Sequence, residues 1–192
     1  MLNNYDRIAP YYDRLSRLVF FKSQVNAQIN QLKYLPDHAE ILIVGGGTGW
    51  ILEEIARVRT AGMKITYVEI AEKMINLAKN RNWASNEVHF YHSGIEDFQI
   101  NQSFDVILTP FLFDNFTEET LQRVFTHLHN RLKPGGVWLN TDFKPTGKWW
   151  HAFLLRSMIV FFRLICRIEA KNLPAIERQF EQHQYKVIDQ KT

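Results

Sequence analysis

A run of nine residues, Ile41-Leu-Ile-Val-Gly-Gly-Gly-Thr-Gly49, limits this chain more than any other part of it. Ile41 to Val44 is continuously apolar, the pattern of a strand buried on both faces. Glycines stand at alternate positions, Gly45, Gly47 and Gly49, with Gly46 between them, and Trp50-Ile-Leu-Glu-Glu-Ile-Ala56 follows with helical spacing. Strand, glycine turn and helix start make the first half of a βαβ unit. Such a turn lets the main chain bend sharply and lets a ligand approach it with no Cβ in the way. The N–H groups of the first helical turn then face that ligand.

The spacing narrows the ligand. A dinucleotide fingerprint, G-x-G-x-x-G, needs its third glycine at position 50, where Trp50 stands. A phosphate-binding P-loop is excluded because no Gly-Lys-Ser/Thr follows. The next apolar strand, Ile65-Thr-Tyr-Val-Glu69, ends in a carboxylate 24 residues after Gly45. An acid at that strand tip can accept both ribose hydroxyls of an adenosine. The blander reading, a solvated strand-end glutamate, is disfavoured by the glycines beside it.

At 192 residues the sequence reads as a single domain, 1–192, in which 1–35 is an N-terminal helical cover and 143–192 holds substrate-side helices and a final strand. One cysteine, Cys166, rules out an internal disulfide and fits a reducing, cytoplasmic setting. The N-terminus lacks a basic-then-apolar signal pattern. Net charge is +3, unevenly placed: from Arg131 onward there are 11 Lys/Arg against 5 Asp/Glu. That basic third either meets something acidic or is a solvated face, and the solvated face is the simpler reading.

In chain order, Tyr11 to Tyr34 has mixed helical periodicity. A helix to about Arg59, a turn at Ala61-Gly62 and the strand ending in Glu69 follow the glycines. Ala71 to Lys79 is an amphipathic helix with Met74, Ile75 and Ala78 inward. Val88-His-Phe-Tyr91 is a third strand, and Ser103 to Thr109 a fourth that Pro110 ends. The loop Pro110-Phe-Leu-Phe-Asp-Asn-Phe116 sits at the carboxyl edge of the sheet, where its phenylalanines either line an apolar pocket or close the core. Thr117 caps a helix to Leu132, Lys133-Pro-Gly-Gly136 stops and reverses it, and Val137 to Asp142 is the fifth strand. Lys148 to Ile168 reads as a helix apolar almost all round, with Arg156, Arg163 and Arg167 as a narrow stripe. Those charges exclude a membrane span of about 20 apolar residues. The surplus apolar surface points to a lid over a greasy substrate, a homodimer face or a membrane-surface contact through 149–168. A last helix runs to about His183, and Tyr185 to Asp189 reads as a sixth strand.

Several of these motifs resemble the class I methyltransferases that use S-adenosylmethionine (SAM). The G-x-G-x-G turn with Glu69 is similar to their cofactor site. Tyr5-Asp-Arg-Ile-Ala-Pro-Tyr-Tyr-Asp13 looks like the Y-D-x-x-A-x-x-Y-D opening of small-molecule members, including those that C-methylate quinone precursors. His92-Ser-Gly-Ile-Glu-Asp-Phe98 stands where that family reads G-D-A-E-D-L. Leu132-Lys-Pro-Gly-Gly136 resembles its turn before strand five. The resemblance implies an α/β fold: a three-layer Rossmann-like, mainly parallel sheet with helices on both faces, here lacking the last strand. It implies SAM as cofactor, held by Tyr12, Gly45, Gly46, Gly47, Gly49, Glu69, Ile70, Gly94, Ile95 and Thr109. Two positions depart from the family: Ile43 stands where an acid holds the cofactor ammonium, and Gly94 where an aspartate meets adenine.

Methyl transfer asks mainly for alignment and exclusion of water. No catalytic residue is identified; His151, Asp114 and Tyr11 are the candidates for a base near the acceptor, each also readable as structural. No metal is expected: His127 and His129 cannot share a ligand from two-residue helical spacing, and His89 and His92 lack further donors. The expected activity is SAM-dependent methyl transfer to a small, hydrophobic acceptor, with no DNA partner. The alternatives are a methyltransferase for RNA or another macromolecule, which lacks any recognisable RNA-binding appendage, and a catalytically silent SAM-binding or dimeric scaffold.

Overall fold

The computed structural model describes residues 5–7, 9–12, 23–99, 101–143 and 173–191. Its centre is a five-stranded, wholly parallel sheet, order β3-β2-β1-β4-β5. The strands are β1 (Glu40–Val44), β2 (Ala61–Glu69), β3 (Ser85–His92), β4 (Phe104–Pro110) and β5 (Leu132–Thr141). The described helices are α1 (Ser23–Gln31), α2 (Trp50–Val58), α3 (Glu72–Ala78), α4 (Glu118–His129) and α5 (Ile176–Gln182). The chain builds outward from β1 to β3, then crosses back to place β4 on the other side of β1. That reversal leaves a crevice over the carboxyl ends of β1 and β4.

Because successive strand residues face opposite ways, the continuous apolar strands feed two cores at once. Ile41 and Ile43 join Ile65, Tyr67, Val106 and Leu108 in one, closed by Leu32, Leu35 and, from α2, Ile51, Leu52 and Ile55. Leu42 and Val44 join Val68 and Ile107 in the other, closed by Leu121, Val124, Phe125 and Leu128 of α4 and by Ile176. The amphipathic helices arise as their spacing dictates: Met74, Ile75 and Ala78 of α3 are buried, and Thr117 Oγ1 accepts the Thr120 N–H to cap α4. The second core is the more aromatic. Phe125, fully buried, stacks on Trp138 at 4.6 Å and meets Phe180 edge-on at 4.9 Å.

Several boundaries differ from the sequence reading. α4 ends at His129, not Leu132, and Lys133-Pro-Gly-Gly136 belongs to β5 rather than to a reversal. Phe104 pairs with Leu132 and Val106 with Val137, so Asp105 alone faces Lys133 to Gly136, which bulge outward. Lys133 Nζ fixes that bulge by binding Asp105 Oδ1 at 3.0 Å and Glu40 Oε2 at 2.9 Å. Ala61-Gly62 is likewise no turn; it lies inside β2 at an irregularity in the pairing with β3. The expected sixth strand, Tyr185 to Asp189, makes no ladder. Tyr185 is drawn onto the aromatic cluster instead, 6.0 Å from Phe125 and 5.7 Å from Trp138, and its hydroxyl meets His129 Nδ1 at 2.9 Å. Asp189 is taken by Lys33 and Tyr34 at 2.8 and 2.9 Å. Side-chain contacts thus use the segment as a strap, and Val187 and Ile188 stay exposed. The expected Lys148–Ile168 helix, with its lid, dimer and membrane-surface readings, lies outside the described residues, as do residues 13–22 of the expected first helix.

Phe125→Ala removes the ring that both Trp138 and Phe180 pack on. The expected cost is about 3–5 kcal/mol, read as a lowered urea midpoint with an unchanged slope.

Candidate functional site

The crevice is an open cleft, lined by the ends of four strands and by the N-terminal segment. Its floor is the glycine turn after β1, with Gly45 and Gly47 on the surface of the cleft. Two residues of β2 hold that turn. Tyr67 Oη donates to the Gly47 carbonyl at 2.9 Å, and Glu69 Oε2 accepts the Gly47 N–H at 3.0 Å. The outer end of the Tyr67 ring sits against the turn, so a Cβ on Gly46 would overlap it. Gly49 is left-handed at φ 76°, and a Cβ there would run into Ala78. Gly46 and Gly49 therefore serve the packing of the turn and do not line the cleft, whereas Gly45 and Gly47 do.

Glu69 is nearly buried, and its other oxygen, Oε1, accepts the Ala71 N–H at 3.0 Å. Burial pushes its carboxyl above the usual glutamate range, against the pull of the Ala71, Gly47 and Ile70 N–H groups. A carboxylate has about four acceptor positions, so these N–H groups do not fill it. Beyond Glu69 the wall continues through Ile70, then Ser93, Gly94, Ile95 and Glu96 after β3. On the opposite side it is Pro110, Phe111, Leu112, Asn115 and Phe116 after β4. Phe111 is held at φ 52°, an uncommon backbone for a bulky residue.

The N-terminal segment roofs this space. Ala9 packs with Ala71 and Met74, Tyr5 and Tyr12 lean against that group, and both tyrosines line the cleft. Asp6 Oδ1 accepts the Lys73 N–H at 2.8 Å, in the first turn of α3. Tyr5 Oη donates to Asn115 Oδ1 at 2.5 Å, on the other rim. The roof is thus tied down on both sides.

Of the residues expected to hold a cofactor, Tyr12, Gly45, Gly47, Glu69, Ile70, Gly94 and Ile95 come together around the cleft. Thr109 does not: it is fully buried, donating to Asn140 Oδ1 and accepting from Trp138 Nε1, both at 2.9 Å. Ile43 is buried in the first core with its register partner Tyr67. The phenylalanine loop divides: Phe111 lines the cleft, Phe113 is core, and Phe116 belongs to both. Among the candidate bases, Tyr11 is 62% exposed and outside the cleft. Asp114 lies behind the wall, accepting from Asn115 Nδ2 at 2.7 Å, and burial pushes its carboxyl up to about 7. Its neighbour Asp142 is also raised, by burial and then by the Asp114 charge, against the pull of the Asp114 and Phe113 N–H groups. His151 lies outside the described residues. Among the described residues no group of His, Cys, Asp and Glu could hold a metal. Sequence reasoning missed Asn115, Met74 and Ser93, whose part in the cleft depends on contacts between distant segments.

Comparison with known proteins agrees with this geometry. Residues 41–136, from β1 to the β5 bulge, match a family described as "Methyltransferase domain". The chain is 28% identical to the ubiquinone/menaquinone biosynthesis C-methyltransferase UbiE of Geotalea daltonii, over 95% of this chain and 82% of that protein. It is 33% identical to a malonyl-[acyl-carrier protein] O-methyltransferase of Bacillus anthracis, over 54% of this chain but 37% of that one. Among solved structures, the mycolic acid cyclopropane synthase CmaA1 complexed with SAH and CTAB superposes with a TM-score of 0.63 at 18% identity, covering 87% of this chain and 61% of that one. That last likeness is one of fold.

Tyr67→Phe should leave the fold intact and cost about 1 kcal/mol, because it removes the hydroxyl that bonds the Gly47 carbonyl. Chemical denaturation of the pure protein measures it; no loss of stability would mean that the hydroxyl does not hold the turn.

Proposed function

Because the chain belongs to the class I SAM-dependent methyltransferases, we propose that it moves the SAM methyl group to a small, neutral, hydrophobic acceptor at the β4 side of the cleft. The observation that carries this reading is the charge of the wall. Among the described lining residues the ionic side chains are Glu69 and Glu96, and none is Lys, Arg or His. A phosphate-bearing dinucleotide would find no counter-charge there, whereas a ligand with hydroxyls and a cationic sulfonium and ammonium is matched.

The strand order supports one orientation for such a ligand. Adenine lies over Ile70, Gly94 and Ile95, the ribose diol meets Glu69, and the amino-acid part runs along Gly45 and Gly47. The methyl group then faces Pro110 to Phe116. The cofactor supplies an already activated methyl, so the protein's task is to align and to keep water out. Tyr5 and Tyr12 above and Phe111, Leu112 and Phe116 at the side do the latter.

The names of the relatives offer two kinds of acceptor, a quinone precursor and a malonyl thioester. The wall after β4 is apolar and aromatic with no cation among its described residues, which favours a neutral ring over a carboxylate. A macromolecular acceptor is not favoured. Among the described residues no helix is long and apolar enough to cross a membrane. The single cysteine motivates placing the protein in the cytoplasm as part of this proposal.

Calorimetry with SAM and with S-adenosylhomocysteine (SAH) tests the reading, and failure of both to bind up to millimolar concentration defeats it. Glu69→Ala should weaken SAH binding at least tenfold, since hydrogen bonds to a charged group contribute about 1.5–3 kcal/mol each.

The pH dependence has a definite sign. Ribose hydroxyls donate best to ionised Glu69, so affinity is full above the free protein's Glu69 pKa and falls as pH drops through it. The fall should begin above the usual glutamate range. Glu69→Gln should flatten it; an SAH affinity that does not change on acidification would remove Glu69 from the site.

A further inference from the structure

We propose that Phe111 determines acceptor specificity: its ring is fixed in the wall after β4 as a platform for a planar aromatic acceptor, which it favours over a saturated one. This rests on the methyltransferase reading, because it takes the β4 side of the cleft as the acceptor side.

The backbone at this position works against the side chain it carries. Phe111 has φ 52°, in the left-handed region that is costly for a residue with a Cβ and rare for a bulky one. Glycine adopts that conformation freely, so local preference alone would place glycine here. Two neighbours hold the ring in place instead. Pro110, the last residue of β4, pairs with Thr141 at the end of β5, and the Phe111 N–H donates to the Thr141 carbonyl at 2.7 Å. The Phe111 ring then meets the Phe143 ring at 4.9 Å. Backbone strain persists where the surroundings enforce it, and it gathers at ligand sites.

Core packing does not account for this ring. Phe113 of the same loop is fully buried and meets Phe116, Phe125 and Trp138. Phe111 is only half-buried, belongs to neither core, and has Phe143 as its one ring partner among the described residues. Phe111 lines the cleft and Phe143 does not. Phe143 thus backs a ring whose remaining surface serves the cleft.

The wall around it suits a flat ring. Pro110, Leu112 and Phe116 continue it, and Tyr5 and Tyr12 lie in the roof. Aromatic rings attract one another through their quadrupoles as well as through buried area, which adds a preference of roughly two- to tenfold for an aromatic body over a saturated one of the same size. Phe111 is held by its backbone and from behind, so a flat acceptor meets it without first ordering the side chain. An aliphatic chain gains burial alone and gives up its own rotamer freedom.

Two alcohols of like size and hydrogen-bonding capacity test this on protein saturated with SAH: 2-naphthalenemethanol, which is flat and aromatic, and its decahydro counterpart, which is neither. Affinities are read by calorimetry, after SAH binding has been measured alone. The aromatic alcohol should bind about threefold or more tightly. Phe111→Leu, which stays apolar, should bring that ratio to near one, and Phe111→Tyr, which keeps the ring, should retain it. The ratio is the readout because a general loss of binding in a variant cancels from it. Phe111→Gly relieves the left-handed backbone and should also give a ratio near one, which covers the case in which Phe111→Leu does not fold. Its urea midpoint should lie at or above that of Phe111→Ala; the reverse order would mean that the backbone is unstrained and would overturn the argument. Failure of SAH itself to bind defeats the methyltransferase reading and this one with it. With SAH bound, no binding of either alcohol, equal binding of the two, or a ratio unchanged in Phe111→Leu each overturns this proposal alone.

Discussion

The cleft depends on β2 gripping the turn that follows β1. Tyr67 and Glu69, two residues apart on one strand, take the carbonyl and the N–H of the same residue, Gly47. Side chains two apart on a strand share a face, so one register of β2 against β1 sets both bonds together. A slip by one residue would move both away and turn Tyr67 out of the first core. The turn is thus positioned by the sheet, and the ligand floor inherits the rigidity of the parallel ladder beneath it.

That grip also bears on Ile43, the position where an acid would be expected. Ile43 and Tyr67 are register partners on neighbouring strands. The polar atom under the turn comes from the strand beside the expected one, and Ile43 is left to pack. An acid at position 43 would sit against a fully buried ring and a turn carbonyl already satisfied, at the desolvation cost of a buried charge. The departure is better read as one half of a paired arrangement than as loss of the site. Gly94 has no such partner; it lines the cleft between Ile70 and Glu96.

Legibility in the sequence followed the range of the interaction. The glycine turn, Glu69 at its strand tip, the inward face of α3 and the Thr117 cap are local, and each was readable from spacing alone. Features set by tertiary partners were not. Leu132 to Gly136 reads as a helix stop and reversal, yet Lys133 finds Glu40 and Asp105 on two other strands and the segment is drawn into the ladder as a bulge. Tyr185 to Asp189 alternates like a strand, but an aromatic cluster and two side chains near α1 claim it. Thr109 looked like a site residue by position, and only the folded β5 shows its hydroxyl occupied from both sides. Asn115 carried no signal, because its meaning depends on Tyr5.

These facts divide the work of the cleft along the strand order. β2 and the segment after β3 present carboxylates and backbone to one end; the loop after β4 presents aromatic rings and one amide to the other. Each side alone is unremarkable, a strand-end acid here and a greasy loop there. What joins them is the roof, which bonds to α3 beside the first side and to Asn115 on the second. Packing of Ala9 on Ala71 and Met74 adds to the first of these hydrogen bonds, so among the described residues the roof is fixed more firmly beside α3 than at Asn115. A roof fixed to both rims is placed to shield whatever occupies the space between them. A site built this way excludes water when both reactants are in place, which is the condition methyl transfer most requires.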